Sequence, residues 1–373
     1  MLDLHRLQLI EAGWEDIETS YRLAPYNAPL NRVEERQKVF EAQRNGQSYN
    51  PQFVYTPPPK YPAQSIREFM AKLEPQESWV EKLYYEKARN ALLAIQCVQD
   101  HVPSVITGMS CLAYGLPGWD LLTEARRILA QVHPTDTPDQ PKTLSAEDAI
   151  AWMQSVLDQS SIQEWRAIVF EPMSAKMSVN RLDKEVKIRK GVTFSPSDLH
   201  RLVVHEIGVH VLRYENGAQQ PIRLFRSGFT KYLSTEEGLA VYGEAQAGLL
   251  ETPTLRKYAG RVIAAHLALN HPFSHVFETL ATDLGPEVAF GITVRAKRGF
   301  TDTTQPGAHT KDIVYLQGYL AVKAHLEQQP DDYPLLFAGK FGLRHIPLVR
   351  SLVEQGTVTF PPILPDRITA LQV

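Results

Sequence analysis

His205, Glu206 and His210 lie close together in the stretch HRLVVHEIGVHVLR, and a second acidic stretch, TEEGLAVYGE, follows about one helix-turn-helix later. Imidazole and carboxylate groups are the ligands of many catalytic zinc sites, in which three protein ligands leave a fourth position open. The residue types and their spacing therefore predict a three-ligand zinc site.

The spacing of the two histidines is HExxxH, with one residue more than in the common HExxH motif. On a regular helix, residues four apart lie roughly 40° apart around the axis, whereas residues five apart lie about 140° apart. A π-bulge would bring residues five apart back into line, and Gly208 weakens the helix at that point. We therefore expect a bulge or an opened turn between Glu206 and His210.

The start of this helix is well marked in the sequence. Ser195 can act as the N-cap, Pro196 suits the first helical position, and Asp198 lies where a capping carboxylate belongs. Apolar residues surround the motif on nearly all sides, which predicts a helix buried in the core. They are Leu199, Leu202, Val203, Ile207, Val211 and Leu212.

The third ligand is expected on the next acidic helix, for which Thr235 reads as the N-cap. Glu237 is favoured over Glu236 because it lies on the same helical face as Ala240 and Glu244, so that it points inward while Glu236 faces water. Glu244 lies one repeat further along that face. It could accept a hydrogen bond from a ligand histidine.

With His205, His210 and Glu237 as ligands, Glu206 is left beside the ion as a general base. Such a base takes a proton from zinc-activated water and later gives it to a leaving amine. The chemistry that this arrangement predicts is hydrolysis of an amide bond.

HEIGVH followed by EEGLA resembles the QEGLA-motif proteins, also called flavohaemoglobin expression-modulating proteins, whose animal relatives are tubulin tyrosine carboxypeptidases with an HExxxH zinc site. Further matching stretches are KIRKGVTFS, NGAQQP and RGFTDTTQPGAHTKDIVYLQGY, so the resemblance covers at least residues 185–320. Position by position, it implies zinc ligation by His205, His210 and Glu237, with Glu206 as the base. Glu236 replaces the glutamine of the motif name, which leaves open which of the two glutamates binds metal.

The expected fold class is α+β and predominantly helical, with a zincin-like catalytic core in which a small antiparallel sheet accompanies the zinc-binding helix. Residues 165–170 and 184–190 alternate like strands and flank a possible turn at 180–183, which predicts a hairpin. The strand at 184–190 could pair with an extended substrate, or it could be an ordinary edge strand protected by lysines.

Proline-rich connectors at 49–62 and 133–143 predict two domains, a mostly helical N-terminal region (1–140) and a zinc metallopeptidase-like catalytic domain (141–373). Helices are predicted at 64–74, 78–100 and 119–132, after the N-cap Ser145, and near 254–269, 310–328 and 346–354.

An enzyme that acts on a free C-terminus needs fixed cations for the substrate carboxylate, and arginine suits this task best. Six basic residues near the motifs are candidates, although most would be solvated surface charges: Arg189, Lys190, Arg295, Lys297, Arg298 and Lys311. Arg298 is favoured because Gly299 permits a tight turn beside it, and Arg295 precedes it. His309 and Tyr315 could donate hydrogen bonds to the oxyanion.

Composition sets limits on the function. The chain has 373 residues, 43% of them hydrophobic, and a formal net charge of -3, so nothing suggests nucleic acid or an anionic membrane as a partner. Cys97 and Cys111 show no metal spacing, and the N-terminus does not read as a signal peptide, so we expect a cytoplasmic protein.

The predicted function is a zinc (Zn2+) metallopeptidase, a carboxypeptidase that removes residues from the C-terminal tail of a peptide or protein. Two alternatives remain open at this point. One is a metal-bound regulatory protein without turnover, and the other is a zinc endopeptidase.

Overall fold

The computed structural model describes residues 4–20, 23–61, 63–131, 141–160, 162, 164–171, 173 and 175–365, so most of the predicted connector at 133–143 lies outside the described residues. Helices dominate. The α-helices are α1 (Leu4–Ser20), α2 (Arg32–Arg44), α3 (Ala63–Lys72), α4 (Trp79–Asp100), α5 (Pro103–Tyr114), α6 (Trp119–Ala130), α7 (Ala146–Gln159), α8 (Pro196–Leu202), α9 (Leu212–Ala218), α10 (Leu224–Ser227), α11 (Leu233–Gln246), α12 (Thr252–Ala268), α13 (Phe273–Leu284), α14 (Pro286–Ala296), α15 (Val314–Gln328), α16 (Asp332–Leu335) and α17 (Ile346–Glu354). Short 3-10 turns occupy Ala24–Asn27, Thr310–Ile313 and Leu343–His345.

The helices expected from the sequence pattern are present, with ends that differ by a few residues. Local capping explains why they could be found. Ser78 and Ser145 each accept a hydrogen bond from the backbone N–H three residues on, and the carboxylate at that position accepts one from the backbone N–H of the serine.

A small sheet contains β1 (Arg166–Phe170), β2 (Met177–Asn180) and β3 (Glu185–Arg189) in the order β1-β3-β2. β3 pairs with β1 in parallel and with β2 antiparallel. The prediction of a purely antiparallel sheet is therefore wrong, because alternation reveals a strand but not its partner. β3 is the central strand, so the prediction that it is an edge strand open to substrate is also wrong.

The motif stretch forms one continuous helix, with α8 leading into a π-helical segment (Val203–Val211) and then into α9. The side chain of Ser195 accepts a hydrogen bond from the backbone N–H of Asp198 at 3.0 Å, and Pro196 occupies the first turn, as predicted. The predicted bulge is confirmed and extends over nine residues. Nearly every side chain of the π segment is buried, as the apolar pattern indicated.

Helices α11 and α15 approach each other closely through glycines. A Cβ placed on Gly238 would lie 2.2 Å from the carbonyl carbon of Gly318, and a Cβ on Gly318 would lie 1.8 Å from the carbonyl oxygen of Ser234. Backbones can approach this closely only where side chains are missing. The contact fixes the helix that carries Glu237 against the helix that begins just before Tyr315.

Contacts divide the chain into two compact units. Unit 1 contains Met1–Leu122 and Gly260–Ile313, and unit 2 contains Thr123–Ala259 and Val314–Val373. Both units are discontinuous in sequence, unlike the single boundary at residue 140 that the proline-rich connectors suggested. Among the described residues, no helix combines the length and the hydropathy that a membrane span requires.

Candidate metal centre

The π segment brings the two motif histidines together. The ring centroids of His205 and His210 lie 4.9 Å apart, and the rings are inclined at 78° to each other. A π-helical turn contains about one residue more than an α-helical turn, so side chains five positions apart share one face. The HExxxH spacing and the π segment are therefore two aspects of the same feature.

Glu237 on α11 completes the cluster. Its Oε2 lies 3.3 Å from Nε2 of His205 and 3.6 Å from Nε2 of His210. One possible ligand atom from each of the three residues lies within 4.8 Å of the others, and all three residues belong to unit 2. Two imidazoles and a carboxylate in this arrangement could hold a divalent metal ion with a further position open.

The other ring nitrogen of His205, Nδ1, contacts a buried glutamate. Its Nδ1 lies 2.7 Å from Oε1 of Glu244, which confirms the predicted contact between this glutamate and a ligand histidine. Arg201 donates to the same carboxylate oxygen at 2.9 Å, and the hydroxyl of Tyr258 lies 3.3 Å from it. The Glu244 side chain is fully buried, so its charge is compensated entirely within the protein.

His210 has an equivalent partner in Glu236, whose Oε1 lies 3.0 Å from Nδ1 of the ring. Arg213 and Lys340 donate hydrogen bonds to the same carboxylate, which is only 2% exposed. The prediction that Glu236 faces water is therefore wrong. Thr235 is not the N-cap either, because α11 begins two residues earlier, at Leu233.

The ionisable side chains of the cluster shift one another's pKa values. Burial alone would lower the pKa of His205, but its contacts with Glu237 and Glu244 outweigh burial and raise the pKa to about 10. The pKa of His210 is raised in the same way by Glu236 and Glu237. Burial opposes ionisation of Glu237, yet the two histidines hold its pKa well below the usual range. The pocket thus favours positive charge at the point where the three side chains meet.

Glu206 follows His205 directly but takes no part in the cluster of ligand atoms. It is 6% exposed, and no described residue is found to donate a hydrogen bond to its carboxylate. Glu206 is thus a buried carboxylate that follows a predicted metal ligand in the sequence. Because no described residue donates a hydrogen bond to its oxygens, it is suited to accept a proton from water.

Tyr315 lies beside the metal cluster. Its ring stacks on that of His205 with centroids 6.4 Å apart, and on that of Tyr258 at 5.3 Å and 9°. Of the four substrate-binding candidates, it is the one that belongs to unit 2 with the predicted ligands.

The other three candidates belong to unit 1. Arg295 forms a two-point ion pair with the buried carboxylate of Asp312, with Nη2 at 2.8 Å from Oδ1. Arg298 lies in the electrostatic field of the same aspartate. Burial, followed by the positive charge of Arg298, lowers the pKa of His309 to about 3, so this imidazole is neutral at physiological pH. The turn predicted at Gly299 is present, with φ at 86°.

Lys297, another of the basic candidates, is completely buried. Its ammonium donates to four backbone carbonyls of unit 1 at 2.8–3.2 Å, those of Ala268, His271, Gln305 and Gly307. We therefore assign Lys297 a structural role, in which it stabilises the fold of unit 1.

Several polar residues around the histidines were not predicted from the sequence, although the sequence contained a signal for two of them. Arg213 stands in an apolar helix three residues after His210, and Lys340 stands in the apolar run LLFAGKFGL. A buried cation requires a buried partner, so both residues pointed to an interior carboxylate.

Arg181 and Tyr232 are two further polar residues of unit 2. Arg181 donates to the carbonyl of Ser227 at 2.9 Å, and the Tyr232 ring packs on the adjacent Gly228, where a Cβ would lie 2.5 Å from the ring. Burial raises the pKa of Tyr232, the charge of Arg181 lowers it, and the charges of Glu236 and then Glu237 raise it. The tyrosine hydroxyl therefore lies in the fields of both this arginine and the metal-site glutamate.

Comparison with known proteins identifies the family. The sequence model described as microtubule-associated tyrosine carboxypeptidase matches residues 38–372. The chain is 35% identical over 174 residues to microtubule-associated tyrosine carboxypeptidase 1 of Mus musculus, covering 45% of this chain and 36% of that protein. It is 31% identical over 174 residues to the putative tyrosine carboxypeptidase MATCAP2 of Homo sapiens, covering 45% and 33%. These alignments thus span about a third of the length of the relatives, whereas the family match extends over most of this chain. The predicted relationship to tyrosine carboxypeptidases is confirmed, and the chain belongs to the microtubule-associated tyrosine carboxypeptidase family.

Proposed function

We propose that this protein is a zinc-dependent metallopeptidase that removes residues from the C-terminus of a peptide or protein. The observation that carries the proposal is the convergence of Nε2 of His205, Nε2 of His210 and Oε2 of Glu237 on one point. Membership of a family described as tyrosine carboxypeptidases supports the same reaction.

The chemistry of the donor set favours a metal ion. If each imidazole is neutral and donates its Nδ1 hydrogen to Glu244 or Glu236, then both Nε2 atoms present lone pairs toward a carboxylate that also carries lone pairs. Such a group of acceptors repels itself unless a proton or a metal ion lies between them, and the raised pKa values of both histidines reflect the same attraction for positive charge. Imidazole and carboxylate ligands suit zinc, and carboxylates behind both histidines are the arrangement that orients zinc ligands.

Zinc in this site would act as a Lewis acid and would lower the pKa of a coordinated water to roughly 7. Glu206 would accept a proton from the attacking water and pass it to the amine that leaves. Its carboxylate is nearly fully buried, and its charge contributes to the raised pKa of His205, which supports a place for it beside the cluster. The hydroxyl of Tyr315, whose ring stacks on His205, is a candidate donor to the oxyanion.

A carboxypeptidase must also recognise a free carboxylate. Among the residues of unit 2, Arg181 supplies a guanidinium whose charge lowers the pKa of Tyr232, and the pKa of that tyrosine is raised in turn by the charges of Glu236 and Glu237. A charge-assisted hydrogen bond from such an arginine is stronger than one between neutral groups. In this assignment Arg181 binds the substrate carboxylate.

The decisive experiment compares the wild-type protein with Glu206→Gln, using peptides whose C-termini are either free or amidated. We expect wild type to remove residues from free C-termini only, and Glu206→Gln to lose about 10²–10⁴-fold in rate while it retains zinc. Glu147→Gln, a change of the same kind on the exposed face of α7, is the control and should leave the rate unchanged.

Each of the other outcomes identifies an alternative. Zinc binding without cleavage by wild type would indicate a metal-bound regulatory protein. Equal cleavage of free and amidated peptides would indicate a zinc endopeptidase. Absence of stoichiometric zinc from the purified protein would contradict the metal centre itself.

A further inference from the structure

The two histidines of the metal cluster are supported by different charge networks. Behind His205, Glu244 meets one arginine and a tyrosine hydroxyl. Behind His210, Glu236 meets two cations, Arg213 and Lys340, and is only 2% exposed. Both oxygens of Glu236 are therefore occupied, with Oε1 shared by His210 and Lys340 and Oε2 bound by Arg213.

Both cations are fixed by one segment near the C-terminal end of unit 2. The guanidinium of Arg213 donates to the carbonyls of Leu336 at 2.8 Å and Phe341 at 2.7 Å. Lys340 lies between these residues in the sequence. Its backbone N–H donates a hydrogen bond to the carbonyl of Phe225, and its carbonyl accepts one from the N–H of Phe229. The segment 336–341 thus supplies one cation and immobilises the other.

We propose that Glu236 is a positioning residue for His210, and that Lys340 and Arg213 maintain it as a buried carboxylate for this purpose. The inference rests on the proposed zinc site and adds the assignment of Glu236 to the imidazole rather than to the metal ion. By accepting the Nδ1 hydrogen, Glu236 fixes the tautomer that leaves Nε2 available and holds the ring in its orientation. Through Lys340, the segment 336–341 becomes part of the structure that determines metal affinity.

The same contacts predict how replacing the carboxylate of Glu236 by an amide would change its hydrogen bonds. A glutamine accepts hydrogen bonds only through its carbonyl oxygen, because its NH2 group can only donate. In Glu236→Gln, either His210 or Arg213 would face a donor instead of an acceptor, and two cations would lose their counter-charge. The substitution preserves shape, and in either orientation of the amide the ring loses its charged partner.

The test measures zinc affinity of the full chain by competition with a chromophoric chelator, together with the absorption spectrum of the Co2+-substituted protein. Loss of an outer partner of a ligand histidine typically weakens metal binding by about 10–100-fold. We expect a loss of this size in Glu236→Gln, with an altered Co2+ spectrum. Asp312→Asn is the matched control, because it also neutralises a buried carboxylate that is paired with arginine, but in unit 1.

If Glu236 served the fold alone, Glu236→Gln would behave like Asp312→Asn, with a lower Tm but unchanged zinc affinity and Co2+ spectrum. That result, or tighter zinc binding, would overturn the proposal. Should Glu236→Gln not fold, the double variant Glu236→Gln/Lys340→Met removes one charge of each sign. We expect it to recover stability while zinc binding stays weak, and recovery of full affinity would also overturn the proposal. Failure of the wild type to bind zinc would instead refute the proposed function.

Discussion

Gly318 lies so close to Ser234 that a single methyl group at position 318 would come within 1.8 Å of the Ser234 carbonyl oxygen. Ser234 is the second residue of α11, three positions before Glu237. The distance between the two helix backbones therefore determines where the third proposed ligand stands relative to the histidines.

Gly318→Ala should for this reason damage both stability and metal binding. Neither backbone can move locally, so α11 and α15 must separate, and overpacking of a core contact typically costs about 1–3 kcal/mol. We expect a lower Tm and less than stoichiometric zinc after dialysis. The measurements are thermal unfolding and metal analysis of the purified variant.

Gly108→Ala is the control for this substitution. Gly108 also lies within a helix, α5, but a Cβ there would meet no atom within 4 Å. Alanine in an exposed helix should stabilise the protein by roughly 0.5–1 kcal/mol and leave zinc content unchanged. If Gly318→Ala were equally harmless, the close approach of the two helices would not be what positions Glu237.

The sequence was most informative where the structure is determined locally. Ser195 and Pro196 marked the start of the motif helix, and the extra residue between the histidines required the π segment that is present. The face of α11 that carries Glu237 and Glu244 could be identified from the helical period. All of these features depend on residues within a few turns of one another.

The features that were not predicted from the sequence depend on partners that are distant in the chain. Glu236 lies 104 residues from Lys340, so a helical wheel assigned it to water. Strand β1 alternates as a strand should, but alternation does not indicate that its neighbour is β3 in parallel. The return of residues 260–313 to the unit formed by the N-terminal segment is likewise a long-range property.

Removal of the metal should destabilise the protein. A ligand that binds only the folded state stabilises it by RT ln(1 + [L]/Kd), which is about 2.7 kcal/mol at a concentration of 100 Kd. We expect chelation to lower Tm and added Zn2+ to restore it. In His205→Ala the Tm should no longer respond to Zn2+, and an identical Tm of the wild type with chelator and with zinc would contradict the metal centre.

Arg181→Met should weaken the binding of peptides with a free C-terminus. Loss of a hydrogen bond to a charged group costs about 1.5–3 kcal/mol, which corresponds to roughly a tenfold to hundredfold higher KM. Because Arg181 also donates to the Ser227 carbonyl, Tm is measured in parallel.

Arg126→Met is the control for this variant, because Arg126 is an exposed arginine on α6 within unit 2. Its KM should match that of the wild type. An unchanged KM in Arg181→Met would contradict the assignment of Arg181 to the substrate carboxylate.

Arg295→Met should destabilise the protein in a pH-dependent manner. Burial would raise the pKa of Asp312, but Arg295 and then Arg298 outweigh it and hold the pKa below its ordinary value. The carboxylate therefore stabilises the folded wild type fully above about pH 4, and this contribution is lost as the pH falls through the lowered pKa. Removing one partner of a buried ion pair typically costs about 3–5 kcal/mol.

Without Arg295, burial dominates and the pKa of Asp312 should rise above its ordinary value. The folded variant then binds more protons than the unfolded chain between about pH 4 and the raised pKa, so the variant loses stability as the pH rises through this window. Urea unfolding should therefore show a larger difference between variant and wild type at pH 7 than at pH 4.5. In Arg295→Met/Asp312→Leu both charges are absent, so the pH dependence should disappear and most of the stability should return. If the single variant differed from wild type equally at both pH values, Asp312 would not be the group that Arg295 stabilises.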